Sequence, residues 1–83
     1  MCIGNESERL ARAFVFINAE PRREVEVLRT LRKTKYVKEP LMLYGAYDLV
    51  VIIEARTVED LYEIARTRIK RIDGVQFATA IDD

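Results

Sequence analysis

Apolar and polar positions alternate in blocks that read as strand, helix, strand, strand, helix, strand. The first block, Ala13-Phe14-Val15-Phe16-Ile17, is a continuous run of β-favouring residues, and its lack of alternation predicts a strand buried on both faces. It stops at Asn18-Ala19-Glu20-Pro21, where the proline suits a first helical turn. Arg22 to Arg32 then reads as a helix: Val25, Leu28 and Arg32 share one face, with Val27 and Leu31 alongside. Tyr36 to Tyr44 reads as a second strand, but Pro40 lies inside it. A proline donates nothing to a β-ladder, so this strand belongs at a sheet edge or carries a bulge. Gly45-Ala46-Tyr47-Asp48 supplies turn residues, and Leu49-Val50-Val51-Ile52-Ile53 follows as a second unbroken apolar strand.

Thr57 is a suitable N-cap, with Asp60 in the position of a capping-box acid. Val58, Leu61, Tyr62, Ala65, Ile69 and Ile72 then recur at helical spacing, and Asp73-Gly74 closes the helix, glycine taking a left-handed position. In the last block Val75, Phe77, Thr79 and Ile81 alternate with Gln76, Ala78 and Ala80, as in a half-exposed strand. Two strand–helix–strand halves with right-handed crossovers interleave into one four-stranded antiparallel sheet with both helices on one face. The predicted fold is therefore α+β, ferredoxin-like βαββαβ, with the two unbroken apolar strands at the centre and the proline-bearing strand at an edge. Residues 1–10 form an N-terminal arm, and residues 11–83 a single domain.

Composition changes this picture in one respect. A chain of 83 residues with 49% hydrophobic positions has more apolar surface than so small a core easily hides. The helices cover one face of the sheet, so the apolar side chains on the other face of Phe14–Ile17 and Leu49–Ile53 need a cover. Face-to-face dimerisation is the simplest. Charge excludes rather than suggests. Fourteen Lys and Arg balance fourteen Asp and Glu, which argues against a general polyanion binder. Arg22 to Lys38 is locally basic, with seven cations against Glu24 and Glu26; such a run can meet nucleic acid but more often is a solvated helix face. The RNA-recognition version of this fold stacks bases on aromatics of the central strands, and Leu49–Ile53 has none. The chain has no His, and its single cysteine, Cys2, stands in the lead. Catalytic residues, metal ligands and a cofactor motif are not found, so an enzyme is not expected. No signal peptide or membrane-spanning run is read, which points to a cytoplasmic protein.

At Tyr44-Gly45-Ala46-Tyr47-Asp48-Leu49-Val50-Val51, followed by Ile72-Asp73-Gly74-Val75, the chain resembles the effector-binding (RAM) domain of the Lrp/AsnC transcription regulators. The resemblance covers roughly Ala11 to Ile81. It implies a domain that senses small molecules, typically amino acids, and dimerises through its sheet, the dimers assembling into rings with effector clefts between them. The family's helix-turn-helix needs more room than ten leading residues give, so the resemblance is to a stand-alone version with no direct DNA binding. Joining mixed oligomers with full-length Lrp/AsnC regulators is an alternative role. A small ferredoxin-like dimeric enzyme is a further one, and it would need a titratable pocket that the sequence does not supply.

The implied ligand-binding residues are Tyr44, Gly45, Ala46, Tyr47 and Asp48, with Ala78 and Ala80 of the last strand. The family usually has threonines or similar polar residues at the last two positions, so the alanines remove two hydroxyls from the implied pocket. The Gly45–Asp48 loop has two readings. Its glycine can admit a ligand to backbone N–H groups, with Tyr47 as a wall and Asp48 accepting from an ammonium. Alternatively it is a plain hairpin, in which Gly45 takes a positive φ, Asp48 caps backbone N–H groups and Tyr47 packs.

Overall fold

The computed structural model describes residues 10–82; Cys2 and most of the expected arm lie outside the described residues. The elements are β1 (Ala11–Ala19), α1 (Glu24–Lys33), β2 (Val37–Met42), β3 (Leu49–Ala55), α2 (Val58–Ile64), continued by a π-helical turn over Ala65–Ile69, and β4 (Val75–Asp82). The four strands form one antiparallel sheet in the order β2-β3-β1-β4. This is the predicted ferredoxin-like α+β arrangement, with the two apolar runs at the centre and the proline strand at an edge. Among the described residues no helix is long and apolar enough to cross a membrane.

Alternation along β1 and β3 divides the sheet into two unlike faces. Ala13, Val15 and Ile17 pair across the ladder with Ile53, Val51 and Leu49, and all six are buried. Val27 and Leu31 of α1, Leu61 and Ile64 of α2, and Ala65 and Ile69 of the π turn close over them in the same cluster. Burying a large aliphatic side chain is worth about 1.5–3 kcal/mol, so this layer is the main source of stability. Phe14, Phe16, Val50 and Ile52 point the other way. β1 is therefore not buried on both faces within one copy: Phe14 is 42% exposed while Val15 beside it is fully buried.

Local departures from the predicted elements have clear causes. Pro21 does not open α1. It sits in a turn closed by Arg23 N–H donating to Glu20 O at 2.9 Å, and Arg22 follows with φ 71°. Proline followed by a positive φ is the pattern of a type II turn, so α1 starts two residues later than predicted. Its inward face is Val27 and Leu31, while Val25 is 54% exposed. α2 begins as predicted, Thr57 Oγ1 accepting from Asp60 N–H at 3.0 Å. It ends sooner, because the π turn, marked by Lys70 N–H on Ala65 O at 2.9 Å, interrupts it before Ile72. Ile64 and Ile69 are five apart and both buried. A regular α-helix spreads that spacing around its axis, and the wider π turn draws it together. The inward set is thus Leu61, Ile64, Ala65 and Ile69, leaving Val58 and Tyr62 exposed.

Two bulges complete the sheet. In β2 the register shifts between Lys38 and Leu41 around Pro40, with Glu39 at φ 51°. In β4 Val75 lies opposite Ala19 while Phe77 lies opposite Asn18, so an extra residue intervenes. That bulge breaks the predicted four-residue alternation. Val75 packs with the helix-side core, and Phe77 and Ile81 join the open face.

Candidate functional site

The Gly45–Asp48 loop joins β2 to β3 at the end of the sheet where β1 finishes. Asp48 ties it down from three atoms. Its Oδ2 accepts from the Ala19 N–H at 2.8 Å, its own N–H donates to Ile17 O at 2.9 Å, and its carbonyl accepts from the Leu43 N–H at 2.8 Å. The carboxylate thereby satisfies a backbone donor at the bulge where β1 loses its partner. Tyr47 lays its ring 5.4 Å from that of Phe16, on the open side of the sheet. The inner half of the loop, Tyr47 and Asp48, is thus committed to the fold.

The outer half is not. Tyr44 is 104% exposed, and Gly45 and Ala46 are exposed beside it. Gly45 has φ +120°, and a Cβ placed on it would meet nothing within 4 Å. Its glycine is required by conformation, and the space over its backbone is open.

Ala78 and Ala80 lie opposite Ile17 and Val15 on the helix side of β4. Together with Tyr62, Arg66 and Lys70 they line a shallow groove of about 250 Å³. Tyr62 donates its hydroxyl to Asp82 Oδ1 at 3.1 Å, and that bond raises the phenol pKa. Arg66 is ion-paired with Glu63, one turn back. Arg66 reaches this groove from the π turn and Lys70 from the residue that follows it, a turn that sequence periodicity did not single out. Thr79, between the alanines, pairs with Phe16 on the other face. Within one copy, the loop and the two alanines lie on opposite sides of β1 and share no cavity.

A second feature sits beside the loop's end of the sheet. Gly74, at φ +99°, accepts from the Glu20 N–H at 2.8 Å, and a Cβ there would stand 2.9 Å from Val27 Cγ2. Next to it Arg23 gathers Glu20, Glu26 and Asp73. Hydrogen bonds from Arg23 hold the Glu26 and Asp73 carboxyls below their ordinary range, and the same bonds push the guanidinium further up. This cluster clamps the turn after β1 to the turn before β4. It is structural.

A four-stranded antiparallel sheet covered by helices on one side places the molecule among the ferredoxin-like α+β domains. The model of the Lrp/AsnC ligand binding domain matches residues 12–80, and the chain belongs to that family. No curated protein matches it. Among solved structures it is similar to FFRP-DM1, at 29% identity and TM-score 0.81, covering 88% of this chain and 97% of that one. It is also similar to the hypothetical protein PHS023 of Pyrococcus horikoshii, at 29% identity and TM-score 0.79, covering 88% of each. The transcriptional regulator NMB0573 of Neisseria meningitidis, solved in complex with L-Met, shares the fold at 15% identity and TM-score 0.78. That match covers 100% of this chain and 54% of the regulator.

Proposed function

We propose that this domain is a small-molecule sensor and assembly unit that binds an amino acid where the Gly45–Asp48 loop of one copy meets a neighbouring copy. The observation that carries this reading is the division of the loop. Asp48 and Tyr47 tie it down, while Tyr44, Gly45 and Ala46 are exposed. A fixed loop with an accessible glycine backbone suits capture of a small polar ligand at low entropic cost. In the assembly the groove at Ala78 and Ala80 contributes the other wall, with Lys70 available to a carboxylate. The L-Met held by the Neisseria regulator of the same fold supports this ligand class. Thermal shift against the individual amino acids tests it. The expected result is a rise in Tm with one or a few of them, lost in Gly45→Val; no response to any amino acid from an intact oligomer removes the sensing role.

A second reading has its own support. This fold matches about half of a longer regulator, so the open sheet face could pair with its counterpart there and form mixed oligomers. Co-purification with a full-length Lrp/AsnC regulator distinguishes this from a homomeric sensor.

A further inference from the structure

At the opposite end of the sheet, where β3 finishes, lies a larger cavity of about 750 Å³. Seven residues of strand separate it from the Gly45–Asp48 loop, or about 20 Å. Tyr36 stands at its wall with φ 76°, a left-handed conformation that is costly for an aromatic residue. Two cations converge on its ring: Lys35 Nζ at 5.2 Å and Arg68 Cζ at 5.8 Å from the centroid. Arg68 belongs to the π turn, an element often found where a helix serves a site.

The charges around the cavity are unequal once ion pairs are assigned. Glu54 is held between Arg12 at 3.4 Å and Lys38 at 3.9 Å, and Glu63 is taken by Arg66. Among the described residues, Arg56 and Arg68 have no carboxylate partner, although both line the cavity. Among the described residues, Asp60 is the one lining carboxylate without a cation.

We propose that this cavity binds a small phosphorylated metabolite. Arg56 and Arg68 take the phosphate, Tyr36 holds Arg68 in place through its ring, and Asp60 accepts from hydroxyls of the organic part. Guanidinium groups recognise phosphate oxygens in pairs. The volume lies in the range of organic ligands rather than of a bare anion. The site is independent of the amino-acid reading, since the two share no residue.

Isothermal titration of the intact chain with inorganic phosphate, glucose 6-phosphate and ADP tests the proposal. An organic phosphate binds more tightly than inorganic phosphate, and its affinity falls as salt is raised. Arg68→Glu weakens it by roughly tenfold or more. Tyr36→Gly, which relieves the backbone rather than straining it, also weakens it while the fold is retained. Arg29→Glu makes the same charge change on the exposed side of α1 and leaves affinity within about twofold. Absence of binding by all three probes overturns the proposal. So does equal weakening by Arg29→Glu and Arg68→Glu, which would mark general surface charge. Tighter binding of inorganic phosphate than of either organic probe overturns the ligand class.

Discussion

The two faces of the sheet are built from the same strands and similar residues, yet only one is finished within a single copy. On the helix side Val15, Ile17, Val51 and Ile53 are fully buried. On the open side Phe14, Leu41, Phe77 and Ile81 remain 42%, 58%, 53% and 55% exposed, with Phe16, Val50 and Ile52 half-buried between them. A helix supplies cover only where its own apolar stripe faces the strand, and both stripes here face the same way. Both bulges keep large side chains on the unfinished face: Leu41 in β2, and Phe77 with Ile81 in β4. Hydrophobicity along a strand thus specifies how much cover is needed, not whether the chain itself provides it.

Substitutions can sharpen this contrast, beginning with the largest effect. Leu31→Ala opens a cavity on the helix side and should cost about 2–5 kcal/mol in denaturant unfolding. Ile81→Thr on the open side should change the unfolding free energy of a dilute, dissociated chain by no more than about 0.5 kcal/mol. Comparable losses from both would show that the faces are not distinct within one copy. Gly74→Ala should cost about 1–3 kcal/mol, since its φ is left-handed and the new methyl meets Val27 Cγ2. A neutral result would mean that the turn before β4 can move away from α1.

Asp48→Ala leaves the part-buried Ala19 N–H without its acceptor, for about 1–2 kcal/mol. Hydrogen exchange at Ala19 should rise with it. Unchanged protection there would contradict the structural role given to Asp48. The smallest effect concerns acid. Glu26 and Asp73 have folded pKa values lowered by Arg23, so their contribution is present above the unfolded carboxylate range and is lost as pH falls through the folded values. Thermal unfolding should therefore soften below about pH 4, modestly because the cluster is exposed. Arg23→Gln should make that acid limb shallower.

Much of the fold was legible in the residues because the strongest signals were local. Pro40 placed β2 at an edge, the two apolar runs identified the central strands, and Thr57 marked the start of α2. What escaped were shifts of phase. Val25 and Val27 are equally apolar, and the type II turn at Pro21-Arg22 decides which one α1 turns inward. The π turn that buries Ile69 and frees Arg68 leaves only a five-residue spacing from Ile64, easily absorbed into a regular helix. The β4 bulge reverses Val75 relative to Phe77 without any glycine or proline to announce it. For the loop, Asp48 and Tyr47 do what a plain hairpin needs, and Gly45 takes the positive φ that the same reading gives it. Tyr36, Arg56 and Arg68 carried no sequence signal as a set, because they come together only from three separate stretches of the chain.

The open face can be tested through the mass of the assembly. Light-scattering mass should be measured across a concentration series for the native chain and for a Phe14→Ser, Phe77→Ser, Ile81→Thr variant. The native chain is expected to be a dimer or a multiple of it, and the variant a folded monomer with native circular dichroism. A native chain that is monomeric at every concentration, or a variant that keeps the full oligomeric mass, would contradict it.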